Sequence, residues 1–296
     1  MGKLVVGEIM KQNTNMKSLL TVLCLLFLQL FSAQEENMIY ADGVFSFEEN
    51  KPQKVFTDWT RVRKEPNVKS QVTDSLQTNQ QVMILKKEEE AVLRLGERGA
   101  NWYKVSYQKG DAISEGYIWG GNLCVGFRNK NGYDFLFGLS KTVDRKSKEY
   151  NGVEKQNIAG IKMMEGNTLI DEVYFDTGRG EELSYGTFTI ESGHKLQNVE
   201  LTLKAIVSGE ACGIASYSQY VFFRNKKLVA LPQLTNVGDA DVYYHTEEFV
   251  FPNDKGGISN AFIFKTEEME KDDNDREKKK HSSKTYLWNG SSYQLK

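Results

Sequence analysis

The chain has 296 residues, room for two domains of ordinary size, and its 16 Phe, 14 Tyr and 4 Trp within a 40% hydrophobic content exclude a globally disordered protein. With only 4 Pro and 25 Gly it is not a linker-like or Pro-rich chain. A formal net charge of -2 provides no basic surface for phosphates, so no nucleic-acid partner is expected.

From Met16 the sequence reads "MKSLLTVLCLLFLQLFSAQEEN", with a lysine, an apolar run from Leu19 to Phe31 and the small residues Ser32-Ala33 before Gln34-Glu35-Glu36. The run is well short of the roughly 20 residues that a spanning helix needs. Positive start, apolar middle and small-residue end are the pattern of a secretory signal, which places residues 1–33 in a signal segment with Met16 as its start. Its loss removes three lysines and one glutamate and leaves 35 basic and 39 acidic residues, a net charge of about -4 with no membrane span. Cys24 follows the bulky Leu23, which argues against lipid attachment. Two cysteines then remain, Cys124 and Cys212; they make no disulfide framework, and both are expected as buried free thiols.

The rest reads as β-structure: short alternating or β-branched runs cut by Gly, Asn and charged turns. Alternation at Val44–Phe47 suggests an edge strand within an extension over residues 34–52. Strands are expected at Gln81–Leu85, Trp102–Tyr107, Gly116–Trp119, Phe135–Leu139, Ala159–Met163, Glu172–Phe175, Thr187–Ile190, Val199–Val207, Tyr217–Arg224, Glu248–Phe251, Ala261–Lys265 and Thr285–Trp288. Asn289-Gly290 and the stretch around Asn225 are hairpin turns. Two charge runs, Lys86–Asn101 and Glu267–Lys284, read as solvated or disordered segments.

Alternate side chains of a strand share a face. Tyr103, Val105 and Tyr107 therefore point one way and Trp102 the other; Ile118 opposes Trp119, and Val62 opposes Trp59, Arg61 and Arg63. Three of the four tryptophans thus leave the aliphatic face together, either as a ligand groove or as a seal against a second domain.

"TRVRKEPNVKSQV", with Val62, Arg63 and Pro66, "TDSLQTNQQVMILKKEE", with Leu76 before the strand of Val82, Ile84 and Leu85, "NWYKVSY" with Trp102 and Val105, and "EGYIWGGNLC" closing at Leu123 form an ordered set. Over residues 57–124 this set resembles the bacterial Src-homology-3-like domain. Asn79 stands where the family has glycine, a change that the left-handed tolerance of Asn permits. Tyr117 replaces a common tryptophan, and the Lys86–Asn101 loop is long. The resemblance implies a small β-barrel over residues 53–126 that binds peptidoglycan or an envelope protein or peptide; the outward face read from strand parity supplies Trp59, Arg61, Trp102, Tyr117 and Trp119 as its expected ligand contacts. Residues 127–296 are expected to form a larger mainly-β domain, a sandwich or a propeller-like sheet.

Domains of this kind are often joined to cell-wall peptidases, and Cys212 with His194 or His245 supplies the residue types. A thiol in a strand-rich setting lacks the helix N-terminus that lowers its pKa, so a structural cysteine is expected and no catalytic residue is assigned. The three histidines have no zinc spacing. Asp239, Asp241, Glu247, Glu248 and Asp254 have calcium-type oxygens without an ordered loop and read as a solvated turn. No glycine-rich phosphate loop supports a nucleotide, and no cofactor is expected. The sequence points to an all-β, secreted or periplasmic binding protein. The alternatives are a Cys-dependent peptidase, or a structural protein whose barrel docks on its own second domain.

Overall fold

Hairpin turns set the connectivity. Asn225 and Lys226 have φ of 41° and 59°, Asn131 has φ of 54° before Gly132 at 82°, and Gly290 has φ of 88°. These left-handed positions suit Asn and Gly and reverse the chain between antiparallel strands. The computed structural model describes residues 43–146, 151–178, 183–209, 211–240, 242–272 and 274–296. The signal segment, residues 34–42 and Asp241 lie outside the described residues.

The first sheet contains β1 (Pro52–Lys54), β2 (Trp59–Arg63), β3 (Val72–Gln77), β4 (Gln81–Leu95), β5 (Arg98–Lys109) and β6 (Ala112–Trp119), ordered β1-β4-β5-β6-β2-β3. It curls as a half-barrel around Val62, Leu76, Val82, Ile84, Tyr103, Val105 and Ile118. The second contains β7 (Gly126–Lys130), β8 (Tyr133–Lys146), β9 (Val153–Glu165) and β10 (Thr168–Thr177), ordered β10-β9-β8-β7. The third contains β11 (Tyr185–Ser192), β12 (Leu201–Ser208), β13 (Ser216–Arg224), β14 (Lys227–Ala230), β15 (Leu234–Asp239), β16 (Tyr243–Val250), β17 (Ala261–Lys271), β18 (Glu277–Trp288) and β19 (Tyr293–Leu295). Its path runs β11-β12-β13-β15-β16-β17-β18-β19, with β14 paired to β13. The fold is all-β, and all of the described residues fall within one compact unit.

Alternation assigns the faces. Phe135, Phe137 and Leu139 of β8 and Ala159, Ile161 and Met163 of β9 share a core with Leu201, Leu203, Ala205 and Val207 of β12 and Val221 and Phe223 of β13. The second and third sheets therefore pack face to face as a sandwich. The third sheet also encloses a second core, where Phe222 meets Phe262 and Trp288 edge-on at 6.0 and 5.2 Å between ring centroids.

The half-barrel is built into this sandwich. Trp102 and Trp119, 4% and 2% exposed, belong to the shared core together with Ala100, Val44 and Phe45. On the opposite face of β8 and β9, Phe56 packs with Leu136, Met164 and Cys124. Gly138 and Gly160 are cross-strand partners and make room for it. A Cβ on Gly138 would lie 2.5 Å from the Phe56 ring, a distance that leaves no space for alanine. The Lys162 ammonium, nearly buried, donates to the Phe56 carbonyl at 3.1 Å and to Asp58 at 2.9 Å.

Asn79, in the place of the family's glycine, has φ of 70° and a second role. Its amide nitrogen donates to Asp134 at 2.9 Å and to the Gly166 carbonyl at 2.8 Å, while its oxygen accepts from Lys54 Nζ at 2.8 Å. Lys54 Nζ also lies 2.8 Å from Asp134. Glycine permits the turn and has no side chain with which to make this brace.

Each of the expected strands falls largely or wholly on an observed one; the edge strand at Val44–Phe47 fails, and the two charge runs are partly solvated as expected but ordered. Val44–Phe47 is not an edge strand: Gly43–Phe45 is a 3-10 turn that drops Val44 and Phe45 into the shared core. Lys86–Asn101 is ordered hairpin, because a bulge between Glu88 and Val92 turns Glu89 and Glu90 to solvent while Ala91 and Leu93 pack on the core. The Asn101 amide holds the bulge by donating to the Glu88 and Glu89 carbonyls at 2.9 and 3.2 Å. Glu267–Lys284 is mostly strand as well, since acidic β17 lies opposite basic β18, with Glu268 across from Lys280 and Glu270 across from Lys278.

Two outcomes follow from the packing. Trp102→Ala removes a ring from the shared core and is expected to cost about 3–5 kcal/mol in denaturant unfolding; a cost under about 1 kcal/mol contradicts the seal. Burial raises the Asp134 carboxyl, but hydrogen bonds from Lys54, Asn129 and Asn79 outweigh it and hold the group below the ordinary carboxylate value. Its stabilisation is therefore complete above the unfolded pKa of about 3.9 and is lost as pH falls through the folded value. Melting curves should show Asp134→Asn less stable than wild type at neutral pH, with the difference shrinking in acid.

Candidate functional site: a groove beside Trp59

Strand β2 alternates exposed Trp59 and Arg61 with buried Thr60 and Val62. Thr60 is fixed from behind by the Asn122 amide, which donates to its hydroxyl at 2.7 Å. The Trp59 ring remains 54% exposed, and the Arg61 guanidinium stacks on it at 5.2 Å from the centroid. Arg63 donates to the Ser70 carbonyl at 2.6 Å, tying down the loop that carries Val68. The β4 end supplies Leu93 and Leu95 on the opposite wall, and the edges of Trp102 and Trp119 form the floor of a groove of about 320 Å³.

The floor is chemically closed. The Trp119 indole N–H donates to the Leu93 and Ala100 carbonyls at 3.0 and 3.1 Å, so it has no proton left for a ligand. Arg98 lies over the same ring at 5.4 Å and donates to the Leu139 carbonyl at 3.0 Å, locking β5 to β8. Two arginines and no carboxylate line the groove.

The structure therefore brings Trp59, Arg61, Trp102 and Trp119 to one groove and leaves Tyr117 outside it, half-buried against the shared core. Strand parity separates the tryptophans from the aliphatic core as expected, but the face that they occupy is not open. Trp102 and Trp119 seal the half-barrel on the sandwich, and only Trp59 presents its ring to solvent. Leu93 and Leu95 escaped the sequence reading because they sit in the charge run; the alternation "VLRL" at residues 92–95 was their signal.

Cys212 is exposed in a turn ahead of Gly213, at φ of 76°, which corrects the expectation of a buried thiol. Its neighbours in sequence are apolar or glycine, but the turn leaves none of them over it. Cys124 is buried, and that burial pushes its thiol well above the ordinary range. His194 stacks on Phe251 at 4.0 Å and lies 3.3 Å from Glu191, and His245 lies 3.1 Å from Glu247. Among the described residues no group of three or more His, Cys, Asp or Glu side chains is placed to hold a metal. Glu247 of β16 accepts from the Thr235 amide of β15 at 2.6 Å and Asp254 from the Phe251 amide at 2.7 Å, so these carboxylates are engaged by backbone amides. A larger polar hollow of about 760 Å³ lies on β16–β18, lined by Asn236, Glu247, Glu267 and His281 among others.

Among the described residues no helix is long and apolar enough to cross a membrane. No curated protein and no solved structure matches the chain. Residues 60–123, which span β2 to β6 and the turn at Gly120–Asn122 that carries the groove floor to Leu123, match the family model of the bacterial SH3 domain.

Proposed function

We propose that the protein is a secreted, non-enzymatic binding module that recognises a cell-wall or peptide ligand at the bacterial envelope through the groove beside Trp59. The observation that carries this reading is a half-exposed tryptophan stacked with an arginine over a concave surface, within a segment that matches a domain type typical of cell-wall binding. A large aromatic left exposed beside a groove is unfavourable in a free protein and becomes a strong contact once covered. The signal pattern from Met16 to Ala33 supports export, and the half-barrel over residues 53–126 is the recognition part of the reading.

A structural role for the half-barrel has its own support in the buried Trp102 and Trp119, and the two roles coexist on opposite sides of those rings. The peptidase alternative has less support: Cys212 sits on an exposed turn, and His194 and His245 engage carboxylates and an aromatic ring.

Two measurements test the proposal. Purified protein from the exported fraction should begin near Gln34; retention of Leu19–Phe31 in a membrane fraction contradicts export. In sedimentation assays with purified peptidoglycan sacculi, Trp59→Ala should weaken binding by about 2 kcal/mol, roughly 30-fold, with little change in melting temperature. Equal binding by wild type and variant sinks the groove as the ligand site.

A further inference from the structure

The groove beside Trp59 has a charge and hydrogen-bonding character that narrows what it takes. Its two cationic side chains differ. Arg63 is pinned by one N–H to the Ser70 carbonyl, whereas Arg61 lies over Trp59 and has no carboxylate or carbonyl partner among the described residues. An arginine held over an indole by cation–π attraction keeps its N–H groups free, and they fit the two oxygens of a carboxylate. On a chain of net charge -2 this spot is locally positive. Charge complementarity therefore calls for an anionic ligand.

Several other polar groups at the groove are held by the protein: the Trp119 indole N–H donates to backbone carbonyls, the buried Thr60 hydroxyl accepts from the Asn122 amide, and one N–H of Arg63 is tied to the Ser70 carbonyl. A glycan, which presents a hydroxyl at nearly every carbon, finds few hydrogen-bonding groups here. The rim instead offers apolar surface: Trp59, Val68 and Leu95 are 54%, 49% and 46% exposed. An unpartnered guanidinium at Arg61, with a second cation at Arg63 and exposed apolar side chains around it, matches a peptide that carries a carboxylate next to an aliphatic side chain.

We infer that the groove binds an acidic peptide, with its carboxylate on Arg61 and an adjacent aliphatic side chain against Trp59, Val68 and Leu95. This rests on the groove being the binding site and adds the chemistry of the ligand.

The test uses the full mature chain and calorimetric titration at low salt, to about 1 mM ligand. Three blocked tetrapeptides serve as probes: Ala-Leu-Glu-Ala, its Gln isostere Ala-Leu-Gln-Ala, and Ala-Ser-Glu-Ala. Sacculi sedimentation runs in parallel. The Leu-Glu peptide should bind at least about tenfold tighter than either analogue, and high salt should weaken it. Arg61→Gln should erase the preference for Glu over Gln, while Arg61→Lys should restore part of it. Both are surface changes, and unchanged melting temperatures establish that the fold persists. If the Glu and Gln peptides bind equally but Trp59→Ala still weakens them, the acidic specificity is wrong and the groove stands. If no peptide binds while sacculi are held in an Arg61-dependent, salt-sensitive way, the ligand is an anionic wall polymer and the peptide is overturned. Binding of neither overturns the inference together with the groove itself.

Discussion

Strand β5 is used on both faces, and the rest of the architecture hangs from that. Tyr103, Val105 and Tyr107 close the half-barrel core, while Ala100 and Trp102, one residue out of phase, enter the core between the two sandwich sheets. A small barrel has little apolar surface to bury on its own, and sharing two tryptophans with a larger core raises the fraction buried for both parts. The cost is rigidity of relationship. Arg98, Phe56, Lys162 and Asn79 each tie the half-barrel to β8, β9 or the turn at Gly166, so it is coupled to the sandwich at several points.

That coupling shapes the groove. A groove floored by Trp102 and Trp119 cannot shift without disturbing the shared core, so the exposed Trp59 and Arg61 stand on a rigid base. Pre-organised surfaces lose little entropy on binding. The same burial limits what the floor does: its indole N–H is consumed by carbonyls, and the adaptable chemistry is confined to the rim.

The long charged hairpins show how polar strands persist in an all-β protein. On β17 and β18 opposite charges face each other across the ladder, and a row of lysines on the β18 edge discourages pairing with another chain. On β4 the bulge at Glu88–Val92 rotates two glutamates out and lets Leu93 turn inward, held by an asparagine amide that satisfies the bulge carbonyls. Charge density alone misled the sequence reading, since it measures preference for water and is blind to a partner strand of opposite sign.

The sequence by itself determined the all-β class, the hairpin turns at Asn225 and Asn289, the left-handed Asn79, and the separation of Trp102 and Trp119 from the barrel's aliphatic residues. All of these are local: a period of two, a positive φ, an ordered motif within the stretch 60–123 that matches the bacterial SH3 domain. Tertiary structure alone decided what lay on the far side of each face. Trp59 and Trp102 share an outward phase, yet one meets solvent and the other joins Phe135 and Phe223 in a common core, because the sandwich packs against the β5 end of that face and leaves Trp59 on β2 uncovered. Burial depends on the partner that packs against a face, and here that partner comes from β8, some thirty positions on, and from β13, more than a hundred positions on, beyond the reach of any local pattern.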